Sequence, residues 1–420
     1  MALWVMLPWP GAVLLALSLA AWLVGTRRGR QALSVANVGI STLGQRLGAS
    51  AVIVVGIAGV VGVLVALLSM AEGYSETLRK SGSTDTAAVL RGASASEVMS
   101  VLGRDSVALI PQAAGIARND KGEPIASAEL VVAANLPVKG AGPDEEGSVQ
   151  LRGVSESAWT LRPQVRIIDG RRFGPGLREL IVGRGAARQF AGLTPGSEVR
   201  LGAQQWTVVG VFISGDAMES EIWADANVVA DTYRRGGSRA SVTVRLADPR
   251  AFSTFKTALE ANPQLQVEVS TTLDYFTKQS EAMTKVLRII GITVGAIMAI
   301  GAMFGALNTM FAAVAARARE IATLRAIGFS GLPVVMAVML ETMLLALVGG
   351  VIGGAMAYLV FNGYGASTMG AVGKLSFELS VTPELLWTGL KWALAIGFIG
   401  GLFPAVRAAR VPVAIALREL

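Results

Sequence analysis

The sequence predicts an α-helical integral membrane protein with four core transmembrane helices, a candidate fifth at the N-terminus, and an inserted α+β extracytoplasmic domain. Three features of the chain point there. Its 420 residues are 52% hydrophobic and 16% charged, with mean hydropathy +0.54, whereas a soluble domain is nearer 25% charged. Four segments run almost free of charge, and about 20 apolar residues cross a bilayer. Between the first two lie about 200 residues of short β-rich runs broken by turn residues.

Residues 1–26 carry no charge, include Trp4, Trp9 and Trp22, and precede Arg27, Arg28 and Arg30. A secretory signal puts its positive charge first, so the reversed order reads as a span with its N-terminus outside. Pro8 and Pro10 leave Gly11–Gly25 as the helix, short enough that an interfacial helix or an overlong start is the alternative. Over residues 27–50, Leu33, Ala36, Ile40, Leu43 and Leu47 share one helical face, as an amphipathic surface helix requires. The first core span is 51–72, within the charge-free run 47–71.

The inserted domain occupies 73–272. Strands are expected at Glu179–Gly183 and Ser241–Arg245, a hairpin over Val199–Phe212, and helices over 184–190 and 249–261. Residues 273–316 hold no proline, and no glycine before Gly291. They form a stalk running straight into the second span. At 1.5 Å per residue such a helix is about 66 Å long, against the ~30 Å hydrocarbon core. Residues 317–331 are a short basic connector. The third span is 332–362, with Glu341 inside it. An acid there is costly and must be partnered or face the protein interior. An outer loop over 363–383 leads to the fourth span, 384–406, where the stem of Lys391 can snorkel. Residues 407–420 are a tail. Small-xxx-small pairs at Gly291/Gly295, Gly301/Gly305, Gly349/Gly353 and Gly397/Gly401 allow close helix approach in lipid.

The net charge of +7 invites a nucleic-acid reading, which its distribution excludes. Residues 72–281 hold 23 Lys+Arg against 25 Asp+Glu, or −2; the remainder holds 14 against 5, or +9. The excess is arginine-rich and lies on one side of alternating spans, at Arg27, Arg28, Arg30 and Arg46, then Arg317, Arg319 and Arg325, then Arg407, Arg410 and Arg418. By the positive-inside rule that side is the cytoplasm. With no cysteine and no histidine, disulfides, thiol nucleophiles and imidazole chemistry are excluded. No catalytic residue and no metal site is expected. Asp144, Glu145 and Glu146 lack EF-hand spacing, and Gly183–Arg188 lacks the Lys-Ser/Thr ending of a phosphate loop.

The connector Arg-Ala-Arg-Glu-Ile-Ala-Thr-Leu-Arg-Ala-Ile-Gly (317–328) is the most specific motif. It precedes Gly349-Gly350 and Gly353-Gly354, and later Gly401-Leu-Phe-Pro-Ala-Val-Arg-Ala-Ala-Arg410. The inserted domain carries Asp169-Gly-Arg-Arg-Phe173 and Gly196–Gly202 followed by Thr207–Val211. As an ordered set over residues 30–420 these resemble the permease subunits of the MacB/FtsX/LolC group of ABC transporters. The resemblance implies a MacB-like periplasmic domain and an inner-membrane location. It also implies a cytoplasmic coupling helix that docks on an ATPase through Arg317, Arg319, Glu320, Ile321, Leu324, Arg325 and Gly328. No Gly-x-x-x-x-Gly-Lys-Ser/Thr is present, so ATP and Mg²⁺ are expected on a separate ATPase subunit, with no cofactor in this chain. A second permease copy and a periplasmic adaptor or outer-membrane partner are the other implied partners. The implied activity is mechanotransmission, driving export or extraction of a lipoprotein, lipid, peptide or drug. The alternatives are FtsX-like signalling to a cell-wall partner and a membrane-anchored sensor or scaffold without ATPase.

Overall fold

The computed structural model describes residues 8–41, 47–142, 145–369 and 373–410. Helix α1 (Trp9–Gly25) carries Pro10 in its first turn, where a missing N–H costs nothing, and is followed by α2 (Arg27–Ser41), bent from it by 96°. Helix α3 spans Leu47–Lys80. The inserted domain then comprises β1 (Thr86–Arg91), α4 (Arg104–Leu109), β2 (Ala126–Pro137), β3 (Glu146–Val154), α5 (Ala158–Leu161), β4 (Arg166–Gly170) and β5 (Glu179–Gly183). It continues with α6 (Arg184–Gln189), β6 (Glu198–Leu201), β7 (Gln204–Ile213), β8 (Glu221–Asp225), α7 (Ala226–Thr232), β9 (Ser241–Arg245), α8 (Ala251–Glu260) and β10 (Val267–Thr271). Helix α9 (Thr272–Ala316) follows β10 without a break; then come α10 (Ala318–Ala326), α11 (Gly331–Phe361), the hairpin β11 (Gly365–Met369) and β12 (Lys374–Glu378), and α12 (Pro383–Arg410).

Among the described residues, four helices are long and apolar enough to cross a membrane: α9, α11, α12 and residues 50–80 of α3. Taken with α2 as a bent pair, α1 makes a fifth candidate. The chain divides into two compact units, one of residues 1–72, 286–364 and 379–420 and the other of 73–285 and 365–378.

The first unit packs Ile57, Val61 and Val65 of α3 with Ala306 and Met310 of α9, Val338 and Ala346 of α11 and Ile396 of α12. Glycine sets how closely these helices approach. A side chain at Gly353 would strike the Ala58 carbonyl, one at Gly349 the Val54 carbonyl, one at Gly397 Ala346 and one at Gly401 Thr342. Gly291 and Gly295 lie against Leu67 and Leu64. Among the described residues, Gly301 and Gly305 have no neighbour that a Cβ would meet. Lys391 departs from expectation. It is 8% exposed, because α12 buries much of its circumference and holds the stem inside instead of letting it snorkel.

In the second unit ten strands form one sheet in the order β10-β1-β9-β2-β3-β8-β5-β7-β4, with β6 paired to β7. Strand β2 is the splice. Its first residues, 126–129, pair with β9, and 130–137 pair with β3. Two separate apolar cores result. One gathers β1, β9, β10 and Phe255 of α8; the other gathers β3, β5, β7 and β8 around Trp206. Gly183 and Gly185, in the stretch that lacks the ending of a phosphate loop, allow the backbone at Glu219 to lie against the start of α6. The paired strands β11 and β12, in a stretch expected as plain loop, belong to this unit: Ser376 N–H donates to Ser220 Oγ at 2.9 Å, and Phe377 meets Tyr74 edge-on at 5.8 Å.

Candidate functional site

Helix α10 lies between two spans of the first unit and presents two different faces. Arg317 precedes it, 9% exposed, and turns inward. Its Nη1 lies 3.0 Å from Glu341 Oε2 on α11, and its Nε lies 3.1 Å from Glu320 Oε2. Ile321 is buried as well. Of the seven expected docking residues, these two therefore face the protein interior, because a buried acid on α11 needs a guanidinium nearby. Arg319, Glu320 and Gly328 are exposed, and Leu324 and Arg325 are half-buried. Ile327, at 69% exposed, is a large apolar side chain on the open face, although its spacing from the buried Ile321 would place it on the inner one. Gly328 has φ +105°, the left-handed turn that ends a helix and favours glycine. Phe329 N–H closes the turn on Leu324 O at 3.1 Å.

The Arg317–Glu341 pair rests on α2. A Cβ at Gly39 would lie 3.0 Å from Glu341 Oε2 and 3.2 Å from Arg317 Nη1. The buried face of α2 is Ala32, Val35, Ala36 and Gly39, with Leu33 outward. This differs by one position from the stripe read in the sequence, because small residues are what let α2 approach α11. Leu43, Arg46 and the side chains of Ile40 and Leu47 lie outside the described residues, as do Asp144 and Arg418. A cavity of about 340 Å³ lined by Val35, Ala36, Ile321, Leu324, Val334 and Ala337 adjoins the pair.

The second unit holds a charged cluster that sequence reading missed. Arg152, 1% exposed, contacts three buried glutamates: Glu97 at 2.9 Å, Glu129 at 2.8 Å and Glu221 at 2.7 Å. Arg162 grips the other side of Glu129 at 2.5 Å. Ser241 Oγ donates to Glu97 at 2.7 Å, and Trp223 Nε1 to Glu221 at 2.8 Å. Glu129 sits where β2 changes partners, so the cluster fills the seam between the two apolar cores. The sequence signal is faint: single charges inside strands, at Glu129 in Ala-Glu-Leu-Val and Arg152 in Gln-Leu-Arg-Gly-Val. Among the described residues no group of side chains is placed to hold a metal ion.

Burial pushes the Glu97 carboxyl up, but the charge and hydrogen bonds of Arg152, with the Ser241 hydroxyl, outweigh it and hold the group below its ordinary value. Asp216, nearby, is raised by burial despite hydrogen bonds from Ser214, Gln164 and Met218 N–H. The signs oppose. The lowered Glu97 stabilises the fold above the ordinary glutamate value, and that contribution is lost as pH falls through its own lower one. Asp216 contributes at low pH and loses that contribution as pH rises. We expect hydrogen-exchange protection factors in β3 and β8, corrected for the intrinsic rate, to fall as pH drops below the ordinary glutamate range, and Glu97→Gln to flatten that acid limb. An unchanged limb would count against the assignment.

Residues 50–262 match the family model of the MacB-like periplasmic core domain, and residues 292–413 that of the FtsX-like permease C-terminal. The chain is 24% identical over 306 residues to the probable export ATP-binding/permease protein MacB of Pseudomonas entomophila, covering 63% of this chain and 41% of that protein. It therefore spans about two fifths of that relative's length. It is 24% identical over 307 residues to the uncharacterized ABC transporter permease YknZ of Bacillus subtilis, covering 69% of this chain and 75% of that one. Two solved structures are similar. The extracellular domain of the noncanonic ABC-type transporter YknZ from Gram-positive bacteria has 17% identity and a TM-score of 0.34, covering 44% of this chain and 100% of that one. The periplasmic region of MacB from Actinobacillus actinomycetemcomitans has 14% identity and a TM-score of 0.36, covering 47% and 92%. With both scores under 0.5, the assignment rests on the two family models. They lie in the family's order along the chain, the first over half of its length, and this protein belongs to the MacB/FtsX-type ABC transporter permeases.

Proposed function

We propose that this chain is the transmembrane subunit of a mechanotransmission-type ABC transporter, and that a separate ATPase chain binding ATP and Mg²⁺ docks on the open face of α10. One observation carries the reading. Helix α9 runs unbroken over 45 residues from the last strand of the inserted domain to the residue before Arg317. A continuous helix transmits displacement along its axis, so nucleotide-driven movement at α10 reaches the inserted domain without an open channel. The cargo is a lipoprotein, lipid, peptide or drug handled outside the inner membrane. The arginine clusters put α10 in the cytoplasm. The bare Gly301/Gly305 stretch of α9 supports a second permease copy as its neighbour.

Co-expression with the cognate ATPase is expected to give a complex stable in detergent and in nanodiscs. Glu320→Lys, on the open face, should reduce permease-stimulated hydrolysis about tenfold, corresponding to ~1.4 kcal/mol of docking energy. If no ATPase co-purifies in either medium, the transporter reading fails.

A further inference from the structure

We infer that Tyr275 and Ser81 are positioning residues that pass the movement of α3 and α9 into the inserted domain through the ion cluster around Arg152. This rests on the mechanotransmission reading above and names the joint it needs.

The two helices meet at backbone distance within the second unit. A side chain at Gly82, two residues past α3, would lie 2.5 Å from Leu273 Cα and 2.6 Å from Thr272 O. Thr272 Oγ1 accepts from Ser83 N–H at 2.8 Å and lies 2.5 Å from Thr86 Oγ1. From this junction two routes lead to the same cluster. On the α9 side, Tyr275 Oη accepts the backbone N–H of Glu97 at 3.1 Å. The Glu97 carboxylate in turn holds Arg152 on β3 and Ser241 on β9, one strand from each core. On the α3 side, Ser81 Oγ accepts the Ala217 N–H at 3.0 Å. That turn, capped by Asp216 on Met218 N–H at 2.9 Å, leads directly into β8 and Glu221, the second carboxylate on Arg152.

The cluster suits a joint better than an apolar seam would. Interdigitated side chains tolerate little sliding. Here two guanidiniums share three carboxylates, and Glu129 serves both arginines. A shift between the cores can exchange partners without stranding a buried charge, which costs several kcal/mol. A cavity of about 440 Å³, lined by Thr86, Arg162, Thr243, Thr272, Tyr275 and Phe276 among others, lies beside the seam and leaves room for such a shift.

The chain holds no cysteine, so spin-label pairs can be placed singly. We would measure two distances in the full permease with its ATPase, nucleotide-free and ATP-bound with hydrolysis blocked. Arg79→Cys with Glu281→Cys reports the helices; Gln205→Cys with Thr257→Cys reports the two cores. Both distances should change with nucleotide in the otherwise native chain. Combined Tyr275→Phe and Ser81→Ala, which keep ring and backbone, should leave the helix-pair change intact and cut the core-pair change by at least half, with unfolding temperature unchanged. A full core-pair change in that variant overturns the inference and leaves the transporter reading standing. No change at either pair in the native chain overturns the mechanotransmission reading, and this joint with it.

Discussion

Arg152→Met is expected to lower the stability of the inserted domain by about 3–5 kcal/mol, the usual cost of removing one member of a buried ion network. Glu97, Glu129 and Glu221 would each lose a partner within 3 Å, and Arg162 reaches Glu129 alone among them. Against a typical total stability of about 5–15 kcal/mol, that loss removes a large share of the total and lowers the unfolding midpoint by several degrees. Arg152→Lys should fare little better, because a point charge on a flexible stem cannot replace a planar fork serving three carboxylates. The cluster is a poor source of net stability, since desolvating five charged groups offsets most of their attraction; its importance lies in the penalty for breaking it. Limited proteolysis and thermal unfolding of the detergent-solubilised chain check this. Native protease resistance together with an unfolding midpoint within 2 °C of the unsubstituted chain would overturn it.

With an ATPase docked on α10 as proposed, Glu341→Ala is expected to abolish its stimulation while leaving the inserted domain folded. Among the described residues, the carboxylate left to the buried Arg317 is Glu320, a side chain 54% exposed, so the guanidinium is expected to move outward and carry the start of α10 with it. Gly39→Leu should give the same phenotype from another element, because its side chain would occupy the position of the ion pair. Removing both charges with Arg317→Met and Glu341→Leu separates stability from coupling. Stability should return, since no buried charge is stranded, while stimulation stays low because α10 is no longer tied to α11. Full stimulation in Glu341→Ala would show that the pair has no part in placing α10. Size-exclusion profiles and ATPase assays with the co-purified partner supply both readouts.

Much of the architecture is legible in the chain because it rests on local properties. The hairpin around Gly202 and the strand at Glu179–Gly183 follow from turn chemistry and alternation. The long helix over 272–316 follows from 19 residues without glycine or proline leading into an apolar run. Glycine pairs are legible as pairs but not by role: three of the four seat against neighbouring helices and Gly301/Gly305 does not, a difference that depends on which helix lies opposite. The pairing of β11 with β12 was not legible because their residues, Gly-Ala-Ser-Thr-Met and Lys-Leu-Ser-Phe-Glu, carry a weak β pattern that Ser220 and Tyr74 complete from far along the chain.

Local composition already locates the apolar runs long enough to span a bilayer, the basic excess that flanks them, and the connector with the family's motif that joins two of them. Run length and charge placement are properties of neighbouring residues, and lipid enforces them directly. Long-range packing, by contrast, turns Arg317 inward to Glu341, buries Lys391, and gathers Glu97, Glu129, Arg152, Arg162 and Glu221 into one cluster. The free energy of a buried charge depends on which opposite charge meets it. Those partners lie 24 residues apart in the first case and as far as 69 in the last.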